Sequence, residues 1–427
     1  MLRQTDGRRR TRLFAVPIRT VGALALLLGL MLSWTSGGSP ARAVLAQTDT
    51  RPLYGAPAGT LTERAALQRL FSATTVQAAW FAPQFLARVP LTAIQQIDEQ
   101  LPRALGPFQG VSPVPYQSYY VTYRQGLIRV TTIRLDARGR ILSMQISSPK
   151  LSQDRVLIAG YRTYFQCQGT GRPTVVLESG LGDDAGQWGN VIPALAQATR
   201  VCFYDRASMG GSDARPGPRT SATIARELHA LLRHEGIAGP YILAGHSIAG
   251  YHMRVFASLY PSAVAGMVMV DSSHPDQFAR DLEVLGPRRP HEASDVTAHR
   301  QALTSLANPL TNPEHFDIPG SAAQVRATGT LGNMPLVVLT AGKSGLPLKR
   351  PQPLEAAWRG MQEELAGLST DSVHVLMPKS GHYIQVESPK AVIAAIQEVV
   401  TAVRTQGRLP ACTTTFPALG GTCFPAL

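Results

Sequence analysis

Two side chains in this sequence stand where acyl-transfer chemistry could use them: Ser247, within Gly245-His246-Ser247-Ile248-Ala249-Gly250, and His382, within Ser380-Gly381-His382. A serine hydroxyl is a weak nucleophile until a neighbouring base removes its proton. Residues 241–244 form a short apolar run suited to a strand buried on both faces, and 248–260 read as a helix that stops before Pro261. Ser247 then occupies the turn between them. A turn that tight needs small neighbours, supplied here by Gly245, Ala249 and Gly250. Its geometry exposes the hydroxyl and aims the next amide, that of Ile248, at a developing oxyanion. His382 follows the strand-like run 373–377 and precedes a closing helix over 388–404. That places an imidazole at a strand's carboxyl end, where it can serve as general base. His246, His252 and His374 are its rivals; His246 is expected to pack beside the serine and His374 to be structural within its strand.

The elements that must position these groups make up most of a chain of 427 residues, 44% hydrophobic and 16% charged, a globular composition long enough for two domains. The first residues differ from the rest. Arg8, Arg9, Arg10 and Arg12 lead into an apolar run over 21–32, and Ala41-Arg42-Ala43 offers a small-x-small cleavage site. This pattern predicts a secretory signal peptide over 1–46, too short in its apolar run to remain as a membrane span. The segment holds seven arginines and one aspartate, so removing it lowers the net charge from +13 to +7. The remaining basic residues are scattered, which argues against nucleic-acid binding. No Cys/His spacing of the zinc type occurs, so no metal is expected, and no cofactor is required by the chemistry proposed.

After a Pro/Gly/Thr-bearing linker over 47–59, apolar spacing predicts helices within 60–80 and over 91–105. Strands follow at 116–124, 127–135 and 141–147, with 136–139 as a turn, giving a small α+β domain over 60–150. From 151 the rhythm becomes strand, loop, helix, with strands at 155–159, 161–167, 174–178, 201–204, 241–244, 265–270, 336–339 and 373–377. Helices are expected at 189–198, 220–234, 248–260 and 388–404. Such alternation predicts an α/β domain over 151–405, a mostly parallel sheet with helices on both faces, whose ligands gather at the strands' carboxyl ends. The long interval at 274–333, with a helical piece at 296–306, reads as a lid. A tail over 406–427 closes the chain.

The small-x-Ser-x-small turn resembles the nucleophile elbow of the α/β-hydrolase family, with Ala249 where the family pattern has glycine. Ser380-Gly381-His382 resembles the family's histidine segment. Val201-Cys-Phe-Tyr-Asp205-Arg206 through Gly210-Gly-Ser-Asp213 is similar to a family segment that shapes a loop beside the pocket. The resemblance covers about 151–404 and implies a secreted serine hydrolase acting on carboxylic esters through an acyl-enzyme, with amides or peptides as the alternative. It also implies a third residue. The usual acid position, after the strand at 336–339, is vacant because 340–354 contains no Asp or Glu. Asp271, at the end of the preceding strand, keeps the order serine, acid, histidine. Glu355, Glu363, Glu364, Asp276 and Asp371 are the fallbacks. By position, Leu181 in Ser179-Gly-Leu-Gly182 is the second oxyanion donor beside Ile248. The resemblance makes the strands carrying Cys167 and Cys202 neighbours, so those cysteines can pair, leaving Cys412 and Cys423 to close a loop in the tail; four cysteines allow three connectivities. The α+β domain is similar in shape to ketosteroid-isomerase-like domains.

Two other readings compete. Gly180-x-Gly182-x-x-x-Gly186 with Asp205 downstream is a variant of a dinucleotide fingerprint, but Asp183 and Asp184 would repel a pyrophosphate, and Ser247 and His382 would have no role. A hydrolase fold used only for binding is the second. Epoxide or haloalkane hydrolysis would call for aspartate at 247.

Overall fold

The computed structural model of the protein describes residues 61–114, 118–147, 149–343, 346, 348–349, 351–412 and 415–424. The signal peptide and linker expected at 1–59 lie outside the described residues.

The N-terminal domain begins with helix Glu63–Ser72, whose first turn is capped by the Thr62 hydroxyl accepting the Ala65 amide at 3.2 Å. Helix Leu91–Leu105 follows, burying Ile94, Ile97, Leu101 and Leu105 along one face, as its apolar period requires. Both helices pack on an antiparallel meander in the order β1 (Phe108–Val114), β2 (Ser118–Tyr123), β3 (Gly126–Leu135), β4 (Ile141–Ile146), with β5 (Lys150–Leu151) paired to β3. Strand β1 is an addition to the sequence expectation. Gly110 and Pro113 obscure its alternation, and the register shifts between Phe108 and Gly110, which an edge strand tolerates.

The second sheet runs β14-β13-β12-β11-β10-β8-β9-β7-β6. Its strands are β6 (Arg155–Ile158), β7 (Tyr161–Gln168), β8 (Thr174–Glu178), β9 (Val201–Tyr204), β10 (Tyr241–His246), β11 (Val264–Val270), β12 (Leu336–Ala341), β13 (Ser372–Met377) and β14 (Thr422–Cys423). From β9 across to β13 neighbouring strands are parallel. Successive residues serve opposite faces. Leu243, Met267, Met269, Leu336 and Val338 join the core under helices Ser221–His234 and Ala249–Leu259, whereas Ile242, Ala244, Val268, Val270, Val337 and Leu339 join the core under Ile192–Ala196 and Pro389–Thr405. This is why the strands read as unbroken apolar runs.

Between β11 and β12 the chain forms helices Gln277–Leu285, Ser294–Ala307 and Ile318–Arg326, of which only the middle one was legible as a period. Helix Gln352–Ala366 and β14 are likewise additions, and the expected helix at 189–198 contracts to Ile192–Ala196. Strand β14 brings the tail back antiparallel to β13. Disulfides join Cys167 to Cys202, which face each other across β7 and β9, and Cys412 to Cys423.

Charged side chains meet, among other places, at two junctions between parts of the chain. Where the N-terminal sheet docks, Lys150 pairs with Asp184 at 2.9 Å and with Asp205 at 2.7 Å, and Arg129 lies 3.4–3.5 Å from Asp183 and Asp184. All five side chains are at least nine-tenths buried. At the root of the insertion, Arg280 pairs with Glu364 at 2.6 Å and Arg326 with Asp276 at 2.7 Å, with side chains 33–49% exposed.

Candidate active site

Ser247 ends up where strand β10 gives way to helix Ala249–Leu259, with φ +56°, a left-handed conformation that costs a serine energy. Gly245 and Ala249 share the crowding. A Cβ at Gly245 would lie 2.7 Å from the Ala249 Cβ, so one of the two must be glycine, and alanine in the fifth place is accommodated. The turn is stitched to the end of β11: the Ser247 amide donates to the Val270 carbonyl at 3.1 Å, and the Ser273 amide donates to the Ser247 carbonyl at 2.9 Å. Asp271 lies between those two attachment points, also with positive φ, +43°.

The Asp271 side chain, 3% exposed, is held by three donors. Its Oδ1 accepts the Ala341 amide and the Trp358 indole N–H, each at 2.9 Å, and its Oδ2 meets His382 Nδ1 at 2.6 Å. A carboxylate oxygen only accepts, so Nδ1 carries the proton in the neutral imidazole and Nε2 keeps its lone pair. Among the described residues, the Ser247 hydroxyl makes no hydrogen bond to His382. Such a contact commonly tightens only when substrate binds. What the structure brings together is therefore the Asp271–His382 pair and the Ser247 turn, at the carboxyl ends of β10, β11 and the loop after β13.

His246 ties the turn to the His382 loop. Its Nε2 lies 2.9 Å from the His382 carbonyl, which can only accept, so Nε2 bears the proton; the two rings are 4.4 Å apart. Burial first, and the nearby His382 second, hold the His246 pKa well below the usual histidine value, keeping it neutral. His374 is structural in its contacts, meeting Thr340 Oγ1 at 2.8 Å, and His252 meets Ser221 Oγ at 3.0 Å.

Ile248 precedes helix Ala249–Leu259, and the turn's backbone bonds start with the Gly250 amide, so the Ile248 amide is one of the first-turn donors a helix cannot use internally. Leu181 lies in the loop after β8, in the turn closed by the Asp183 amide donating to the Gly180 carbonyl at 3.2 Å. That loop is clamped by Arg206, whose guanidinium donates to the Ser179 and Gly180 carbonyls at 2.6 Å each and to Glu178 Oε1 at 2.7 Å. The other end of the clamp is Glu314, from the insertion, which takes Arg206 Nε at 2.7 Å and the Gly182 amide at 2.7 Å. Burial opposes the Arg206 charge, but Glu314 and Glu178 raise its pKa well above the usual value.

The fallback acids are elsewhere. Asp276 and Glu364 belong to the root of the insertion, Asp371 accepts the Leu409 amide at 3.2 Å, and Glu355 and Glu363 lie on helix Gln352–Ala366. Asp205, the acid of the dinucleotide reading, is occupied by Lys150 and by the Ala185 and Gly211 amides. Trp358 and Glu314 had no sequence signal. Arg206 stood inside a segment that did.

Residues 173–306 match the family model of the alpha/beta hydrolase fold. Among relatives, a probable transporter, efuK, of Hormonema carpetanum is 31% identical over 36% of this chain and 25% of its own length. A putative carbamate hydrolase, RutD, of Azorhizobium caulinodans is 33% identical over 27% of this chain and 44% of its own. The chain thus spans less than half the length of either. Among solved structures, a thermophilic esterase from Thermogutta terrifontis is 25% identical, with 58% of this chain and 98% of that chain covered and a TM-score of 0.42. The second sheet and its helices have the α/β-hydrolase fold.

Proposed function

We propose that the protein is a serine hydrolase that cleaves carboxylic esters through an acyl-enzyme. Ser247 attacks the carbonyl, His382 Nε2 takes its proton and returns it to the leaving alcohol, and Asp271 fixes the imidazole's tautomer and orientation. The amides of Ile248 and Leu181 receive the oxyanion. Water then repeats the sequence to release the acid. The observation that carries this reading is the 2.6 Å contact between His382 Nδ1 and a triply bonded, buried Asp271, set beside a strained serine turn. The match to a putative carbamate hydrolase adds support for hydrolytic attack on a carbonyl.

The same reading includes export. A leader over 1–46 and two disulfides suit an extracytoplasmic protein, and no helix among the described residues is long and apolar enough to cross a membrane. The N-terminal domain, helices followed by an antiparallel meander, we take as ketosteroid-isomerase-like in shape.

The test is fluorophosphonate labelling of the purified chain, with p-nitrophenyl esters, carbamates and aminoacyl anilides as substrates. Wild type should label and turn over esters fastest. Ser247→Ala should lose the label, and Ser247→Ala and His382→Ala should each lower kcat by about four orders of magnitude or more while circular dichroism is unchanged. A Ser247→Ala protein that still labels would sink the assignment.

A further inference from the structure

Asp183, Asp184 and Asp205 lie in the loops after β8 and β9, strands of the sheet that carries the serine turn, yet among the described residues the cations paired with them, Arg129 and Lys150, both come from the N-terminal sheet. Lys150 serves Asp184 and Asp205. Arg129 serves Asp183 and Asp184 and braces its own guanidinium on Ser118 Oγ, with Nη2 at 3.0 Å and Nε at 3.2 Å.

Of these three, Asp183 is the one bonded to the His382 loop. Its amide donates to the Gly180 carbonyl at 3.2 Å, closing the turn whose second residue is Leu181. Its Oδ2 accepts the Tyr383 hydroxyl at 3.0 Å. Tyr383 follows His382 in sequence, and its ring centroid is 4.9 Å from His246 and 5.6 Å from His382. One buried carboxylate therefore joins the loop of the second oxyanion donor to the loop of the base. The space around it is tight, since a Cβ at Gly180 would fall 2.7 Å from His246 Nδ1 and 3.2 Å from Asp183 Oδ2. Side chains so placed transmit a displacement instead of absorbing it.

We propose that Arg129 is a positioning residue of the active site, acting through Asp183 and Tyr383 on the oxyanion turn and the His382 loop, so that the N-terminal domain is a working part of the catalytic unit. This rests on the serine-hydrolase reading above. Removing Arg129 would leave Asp183 buried without its cation, free to turn toward other donors and release the Tyr383 hydroxyl. Lysine at 129 would keep the charge but lose the fork that reaches Asp183, Asp184 and Ser118 together.

A double-mutant cycle in the full chain tests this. Kcat and KM for a p-nitrophenyl ester are measured in wild type, Arg129→Gln, Tyr383→Phe and the double variant. Each single change should lower kcat about tenfold, chiefly without raising KM, because small misplacements of reacting groups are costly. The double variant should be no slower than the slower single, since both changes cut one path. Arg129→Lys should recover part of the loss. Losses that multiply, an unchanged kcat in Arg129→Gln, or equal coupling of Lys150→Met to Tyr383→Phe would each overturn the proposal, the last by reducing the effect to docking alone. If Arg129→Gln does not fold, Asp183→Asn completes the same cycle with Tyr383→Phe. If wild type neither labels nor turns over any ester, the hydrolase reading fails separately. The positioning claim is then read from the His382 ring resonances of isotope-labelled protein, which should move alike in Arg129→Gln and Tyr383→Phe; unmoved resonances overturn it.

Discussion

Two of the charged junctions among the described residues use the same residue types to opposite ends. Where the N-terminal sheet docks, five charges are sealed from water, and each depends on its partners because desolvation is severe and solvent cannot substitute. At the root of the insertion, Arg280, Glu364, Arg326 and Asp276 are a third to half exposed, so water and salt replace a lost partner at little cost. The first junction is fixed. The second tolerates the loss of a partner, while the insertion it anchors is held as well by Glu314, buried on the Arg206 clamp. Burial, more than the number of ion pairs, decides which junction depends on each of its partners.

The largest effect is expected from Lys150→Met. It removes Lys150 from Asp205 and from Asp184, leaving Asp184 only Arg129, and should destabilise the chain by about 3–5 kcal/mol in urea unfolding. A loss below about 1 kcal/mol would make the seam equivalent to a surface pair. A second, intermediate effect concerns pH. Burial pushes the Asp184 carboxyl up, but Lys150 and Arg129 outweigh it and hold its pKa at about 2, below the ordinary 3.8. Because the folded value is the lower one, the stabilisation is complete above the ordinary value and is lost as pH falls through the folded one. Wild type should therefore exceed Asp184→Asn in stability above pH 3.8, and the gap should close towards pH 2, as followed by thermal melts. The smallest effect is expected from Arg280→Ala, at most about 1 kcal/mol and diminishing further in high salt. A salt-insensitive loss would place that pair with the buried class.

The elements nearest the chemistry were the most legible in the sequence. Residues of β8, β10 and β12 are buried along their whole length, so their apolar runs are plain, and the serine turn follows from the small residues around Ser247. His382 was legible from its place after β13. Asp271 was reached through resemblance, because its distinguishing features, a positive φ and the Trp358 indole on its Oδ1, arise only in three dimensions. The seam was illegible for a related reason. Arg129 stands 54 residues from Asp183 and Lys150 stands 55 from Asp205, and along the chain they look like ordinary strand charges. Asp183 and Asp184 counted only as an argument against a pyrophosphate. Helix Ile318–Arg326 is obscured because its buried face, Ile318, Ser321, Ala322 and Val325, is half small or polar, leaving a weak apolar period.

Strand β14 is only two residues long, yet it lies along the outer margin of β13, with the Phe424 amide donating to the His374 carbonyl at 3.0 Å and Phe416 wholly buried nearby. A bare margin of that kind is a template for another chain's backbone. The Cys412–Cys423 loop thus works as a hem on the fabric of the sheet. Unpicking it by reduction or by cutting the chain after residue 405 should show itself as self-association through β13 before any slowing of turnover, since the exposed ladder invites a neighbour while the imidazole loop beyond it keeps its own anchors.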